Sequence, residues 1–174
     1  MSTTIDGSAS VTINNGAVLG ITSGTAVAST SGTSIDFTSL PSWIKRITVM
    51  FSGVSTSGTS NILIRFGAGS FDTSGYASTN GSILGTNTTN ISTDTSGHLV
   101  TASVTAATDH SGTAILTNIS SNNWLVNQTS RRNDGIVNTS VTTKSLSGTL
   151  DRVRVTTVNG TDTFDAGTIN ILYE

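Results

Sequence analysis

An all-β fold is what this sequence predicts: an antiparallel β-sandwich, jelly-roll-like, with an extended N-terminal arm. Three observations point there. Side chains alternate in character at period two over residues 45–54, 62–66 and 151–158, as strands with one buried face require. Turn formers punctuate those runs, with 18 Gly and a single Pro in the chain. Finally, 27 Ser and 33 Thr accompany only 10% charged residues. Disordered chains are strongly charged and poor in β-branched residues, so these polar positions are read as strand faces and turns. No segment carries the apolar spacing of an amphipathic helix.

In chain order, residues 1–30 hold sparse apolar anchors, such as Ile5, Val11, Ile13 and Val27, too few for a core of their own. They are expected to form an extended arm with one or two short strands, lying on something else. Residues 31–174 are expected to form the sandwich, and 174 residues suffice for a single domain with a sizeable core. Ile35 and Phe37 alternate with Asp36, Leu40-Pro41 breaks the run, and Trp43 is expected in the core. Ile47, Val49, Phe51 and Gly53 share one strand face, and Ile62, Ile64 and Phe66 share another. The six residues between these runs have hairpin-loop length, which predicts adjacent antiparallel strands. Residues 68–97, with glycines at 69, 75, 81, 85 and 97, read as the most loop-like region. Strands are expected again over 98–105, 113–119 and 123–128, with a hairpin turn at 118–123, and over 135–146 as a pair or one long strand. Val153 and Val155 form a further buried face, Asn159-Gly160 is a strong turn signal, and Ile169, Ile171 and Tyr173 share the last face. The total is nine or ten strands.

Charge and composition narrow the chemistry. A formal net charge of −2 and a pI near 5.5 leave no electrostatic footprint for nucleic acid or anionic membrane. The N-terminus has no basic, apolar leader and no segment is long and apolar enough to span a membrane, so synthesis in a cytoplasm without membrane insertion is expected. Cysteine is absent, which removes disulfides and thiolate chemistry. His98 and His110 read as a coincidental pair of surface histidines, and no nucleophile elbow is present. The only Glu is Glu174, leaving no paired glutamates for glycan cleavage. Asn159, Asp162 and Asp165 admit two readings, a capped turn or a weak oxygen cluster for a metal such as calcium. No cofactor is expected, and the chain reads as noncatalytic.

Candidate binding residues are Tyr76, Arg131, Arg132 and Trp124. Arg131-Arg132, beside Asn133-Asp134-Gly135, reads as an exposed basic pair in a loop over 128–135, and Tyr76 as a residue shown by the 68–97 loops. Trp124, flanked by Asn122 and Asn123, is either core, the favoured reading, or a platform for a sugar ring.

Two stretches also look familiar. IDFTSLPSWIKRITVMFSGVSTSGTS at residues 35–60, paired with LSGTLDRVRVTTVNGTDTFDAGTINILYE at residues 146–174, resembles a module at the C-termini of tail fibres and in small surface proteins of tailed bacteriophages. The likeness is carried by residues 31–67 and 145–174. It implies a structural protein on the virion surface, of fibre-tip type, that attaches the particle to a glycan or protein of the bacterial surface, and it implies a homotrimer. The alternative is a capsid decoration or head-fibre protein, docked to other virion proteins through residues 1–30. A hydrolase is a third class, without residues to carry it.

Overall fold

Interior and solvent-facing side chains alternate along Arg46–Thr56, where Ile47, Val49 and Phe51 are buried between outward Arg46, Thr48, Met50 and Ser52. The same rule builds most of the molecule. The computed structural model describes residues 12–13, 16–17, 20–84, 89–102, 104–106 and 108–174, and holds fifteen strands among them. Four are two-residue pieces: β1 (Thr12–Ile13), β2 (Gly16–Ala17), β3 (Thr22–Ser23) and β4 (Val27–Ala28). Then come β5 (Ser34–Phe37), β6 (Arg46–Thr56), β7 (Ile62–Gly67), β8 (Ala77–Ile83), β9 (Thr89–Asp94) and β10 (His98–Leu99). Three long strands follow, β11 (His110–Ser120), β12 (Asn123–Arg132) and β13 (Val137–Ser145), and then β14 (Arg152–Thr157) and β15 (Phe164–Tyr173).

Two antiparallel sheets pack as a sandwich, as the sequence predicts. The larger runs β15-β6-β11-β12-β13-β8-β9, with β3 and β4 both paired to the outer side of β15. The smaller runs β10-β7-β14-β5. Residues 20–30 therefore lie on the C-terminal strand of their own chain, tied by Gly24 N donating to Ile171 O at 2.8 Å and Ser29 N to Gly167 O at 2.9 Å. The rest of the expected arm, residues 1–19, falls outside the described residues apart from the β1–β2 pair.

Three local expectations are corrected. β6 and β7 do not form a hairpin: residues 57–61 cross from one sheet to the other. β7 is buried on both faces, with Leu63 packed on Leu99 and Ala102 as well as Ile62, Ile64 and Phe66 in the main core. Such a strand has no solvent face, and loop length alone does not choose its partner. Asn159-Gly160 likewise turns the chain between sheets, from β14 to β15. Residues 68–97 are not mainly loop, because β8 and β9 form there. The strand count rises from nine or ten to fifteen partly for that reason and partly through the two-residue pieces.

The interior has two halves of different chemistry. Beneath β15, β6 and β11 it is apolar, with Val49, Leu116, Ile169 and Ile171 facing Ile35, Phe66, Val153 and Val155 of the small sheet. Beneath β12, β13 and β8 the inward positions are Gln128, Ser130, Asn138, Ser140, Ser78, Asn80 and Ser82, all buried. The cover over this half is β10 and the irregular chain after it, whose backbone groups have no full ladder. An unpaired buried backbone group costs about as much as a lost hydrogen bond, so the sheet supplies partners from its side chains. Ser78 Oγ accepts from Leu99 N at 2.9 Å, Ser140 Oγ donates to Leu99 O at 2.6 Å, and Asn80 Nδ2 donates to Ser140 Oγ at 2.6 Å. With its amide turned to satisfy both ends, Gln128 donates to Val100 O at 3.2 Å and accepts from Ser130 N at 3.1 Å.

Both histidines belong to this half, which overturns their reading as surface residues. Each is fully buried. His98 Nδ1 lies 2.7 Å from Thr142 Oγ1, and burial pulls its pKa down to about 3. His110 is pulled down to about 4, by burial first and by the Arg132 cation second.

Candidate functional site

β12 separates the candidate binding residues. Trp124 stands at its start and Arg131-Arg132 at its end, eight residues on at most, or about 27 Å at strand rise. Trp124 is opposite Lys144 on β13, and β8 begins beside Thr143, directly after Tyr76. Lys144 Nζ sits 5.2 Å from the centroid of the Tyr76 ring and 2.7 Å from Asp72 Oδ2. The structure thus gathers Tyr76 and Trp124 around a Lys144–Asp72 ion pair and leaves the arginines at the other end of the sheet.

Exposure corrects two of the four. Tyr76 is 2% exposed, so it is core rather than a loop-borne contact. Its hydroxyl accepts from Phe66 N and donates to Phe66 O, both at 3.0 Å, and its ring meets Phe66 edge-on at 5.3 Å. Burial pushes the phenol pKa up. Arg132 falls on the inward parity of β12, after Gln128 and Ser130, and is also buried. It donates from Nη1 to Ala102 O at 3.1 Å and from Nη2 to Asp134 Oδ2 at 2.5 Å. Only Arg131 of the pair is exposed, because neighbours on a strand face opposite ways. Trp124 is buried too, the favoured of its two readings, yet its indole Nε1 has no hydrogen-bond partner among the described residues. Tyr76→Phe is expected to cost about 1–2 kcal/mol through the Phe66 N–H it leaves unpaired, read as a lower urea midpoint with the same slope.

Beside Trp124 an open groove of about 540 Å³ runs along the sheet end. Gly75 and Ala77 wall one side, Ile119 and Ser120 of the β11–β12 turn the other, and Trp124 and Lys144 lie between them. Local geometry fixes that turn: Ser121 has φ 47°, and Asn118 Nδ2 donates to Ser121 O at 2.9 Å and Asn123 O at 3.2 Å. Gly75 holds φ 74°, and a Cβ there would stand 3.4 Å from Lys144 Nζ. Asn123 and Ser145, both exposed, are joined by a hydrogen bond from Ser145 Oγ to Asn123 Oδ1. Lys144, Asp72 and Ile119 escape sequence reasoning. Lys144 sits among Thr and Ser in a strand without apolar alternation, and only its parity with buried Thr142 signals an inward side chain.

The oxygen-rich turn is a closed structure. Asn159 Oδ1 accepts from Thr161 N at 3.0 Å and Asp162 N at 3.2 Å, and Asn159 Nδ2 donates to Asp162 Oδ1 at 2.7 Å. Asp162 Oδ2 accepts from Ser60 N at 2.9 Å, which staples this turn to the β6–β7 crossing. The hydrogen bond from Asn159 holds the Asp162 carboxyl below its ordinary range, with that from Ser60 second. Asp165 turns instead to the Ser55 hydroxyl. Among the described residues no three His, Asp or Glu side chains gather as a metal site would need.

Comparison with family models, with curated proteins and with solved structures finds no match to this chain.

Proposed function

We propose that this protein is a noncatalytic surface component of a tailed-phage virion that attaches the particle to its bacterial host. The observation that carries the reading is the groove at the Trp124 end of the nine-stranded sheet. It is open, lined mainly by hydroxyl, amide and apolar groups, and held on strand ends rather than on long loops. Binding needs such a rigid, shaped and polar surface, and does not need a titrating residue. Both histidines are sealed in the interior, beyond reach of a substrate in solvent. The two segments that resemble phage fibre modules supply β5, β6, β7, β14 and β15, and so most of the apolar core on which that surface rests. Purified protein is expected to adsorb to host cells and to block infection in competition with phage. Infection unaffected at saturating protein would contradict attachment.

A second reading, docking on a capsid lattice through residues 1–30, draws support from β3 and β4. They pin residues 22–28 to β15, so the preceding chain leaves from a fixed point on one sheet edge. Antibody labelling of intact particles separates the two, marking fibre tips for attachment and the head lattice for decoration.

We also propose a homotrimer. Ile83, Ile91, Val137 and Val141 are exposed on the outer face of β8, β9 and β13. Of the outward positions on β8, β11, β12 and β13, only Arg131 is charged. A nearly uncharged face with contiguous apolar side chains suits contact with a neighbouring copy. Light scattering at micromolar concentration is expected to give three chain masses, and a monomer mass would contradict a self-sufficient trimer.

A further inference from the structure

We propose that residues 98–102 are a cover that acid releases from the polar half of the sandwich, with His98 and His110 as its paired latches. Its fastening is poor in backbone bonds. Among the described residues, its backbone ties are the two residue pairs of β10 with β7 and Val100 N, which donates to Ile62 O at 2.9 Å. All of them run to the small sheet. Toward the large sheet the cover is held by side chains: Thr142 on His98, Ser78 on Leu99 N, Gln128 on Val100 O and Arg132 on Ala102 O. β6, by contrast, is laddered along both sides, to β15 and to β11. A segment with few backbone bonds of its own opens locally at a lower free energy than the whole domain.

Each end of the cover carries a histidine with no exposed surface. His98 begins it, and His110 is the cross-strand neighbour of Arg132, whose Nη1 donates to Ala102 O at the far end. Neither ring has acceptors for two N–H groups. His98 Nε2 and both ring nitrogens of His110 lack a hydrogen-bond partner among the described residues, so an imidazolium in the closed cover would hold buried donors with nothing to accept them. The surrounding charges do not relieve this. Near His98, Lys144 of β13 is paired with Asp72, Asp94 of β9 accepts from Ser96, Arg65 stands on the opposite face of β7 and donates to Ser96 O, and the Tyr76 hydroxyl is bonded to Phe66. Burial alone lowers the His98 pKa. Near His110, β6 presents Val54, Asp109 precedes on the chain, and Arg132 opposes a proton more than Asp134 favours it. Protonation therefore favours the open cover, in which both rings reach water while the ladders of the large sheet stay closed. Release also bares Leu63, which the closed cover packs against Leu99 and Ala102.

The test is amide hydrogen exchange of the full chain followed by NMR, corrected for the pH dependence of intrinsic exchange and read as an opening constant at each amide. At pH 5 the Leu99 and Val100 amides are expected to open at least about tenfold more often than those of Val49 and Leu116 in the central ladders. Low urea is expected to leave the opening of Leu99 and Val100 nearly unchanged, because a local opening exposes little surface. From pH 6 to pH 5 their opening constant is expected to rise about fiftyfold, a little under tenfold for each histidine released. His98→Asn and His110→Gln, made singly, are each expected to cut that rise to under about tenfold. The rise is read within each variant, so a variant of lower overall stability still reports it, and if one does not fold, wild type and the other decide. The assignment is overturned if Leu99 and Val100 open no more often than Val49 and Leu116, if the wild-type rise stays below about tenfold, or if either variant keeps the full rise.

Discussion

Val49→Asp is expected to destabilise the protein by several kcal/mol, a large share of the stability of a single domain. Val49 has no exposed surface, and its cross-strand neighbours are Ile171 on β15 and Ala114 on β11. A carboxylate there meets an apolar layer on every side, while the charges of Lys45 and Arg46 lie at the exposed strand start. An unpaired buried charge costs on the order of 3–5 kcal/mol, against a total stability of about 5–15 kcal/mol for a domain. Thr113→Asp, at an outward position on neighbouring β11, is expected to stay within about 0.5 kcal/mol. Urea unfolding followed by circular dichroism checks both. Equal midpoints for the two variants would mean that the buried face of β6 is misassigned.

Acid is expected to weaken the fold well before the carboxylates titrate. His98 and His110 are neutral and buried, with pKa values lowered to about 3 and about 4 from an ordinary 6.5. Below pH 6.5 the unfolded chain takes up protons at both histidines and the folded chain does not. Stability is therefore full above pH 6.5 and falls as pH drops, until each folded-state pKa is reached. The slope approaches about 1.4 kcal/mol per pH unit for each histidine, and about twice that for the two together, between pH 6 and pH 5. The groups facing them sharpen the effect. Thr142 is a neutral partner that adds no counter-charge to His98. Arg132 opposes a proton on His110 more than Asp134 favours it. Urea midpoints at pH 7, 6 and 5 give the slope directly, and a midpoint unchanged across that range would show that the histidines are not sealed.

The apolar half of the sandwich was legible because its strands obey period two: Ile47, Val49 and Phe51, Val153 and Val155, and Ile169 and Ile171 are all buried on the faces expected. The β11–β12 turn was legible from its Asn and Ser residues. In the polar half β12 and β13 were legible as strands but their polar inward face was not. β8 points Ser78, Asn80 and Ser82 inward, and a pattern that scores only apolar side chains reads such a strand as loop. The same blindness hid the site. Polar character marks Arg132 and Tyr76 as surface residues, though each is buried with hydrogen-bond partners, and no apolar alternation marks Lys144. What the sequence does not carry is the irregular cover after β10, whose backbone needs explain why polar residues face inward there. Sheet membership was equally hidden, since the 57–61 and 158–163 connections have hairpin-like composition yet change sheets.

Recognition at the Trp124 end of the nine-stranded sheet, and not at its Arg131 end, is tested most directly by comparing two single variants for adsorption to host cells. Thr143→Arg occupies the groove, and Arg131→Ala removes the exposed cation at the far end of β12; both positions are exposed, so both variants are expected to keep the wild-type urea midpoint. Adsorption lost with Thr143→Arg and retained with Arg131→Ala is the predicted result. Adsorption lost with Arg131→Ala and retained with Thr143→Arg would contradict it.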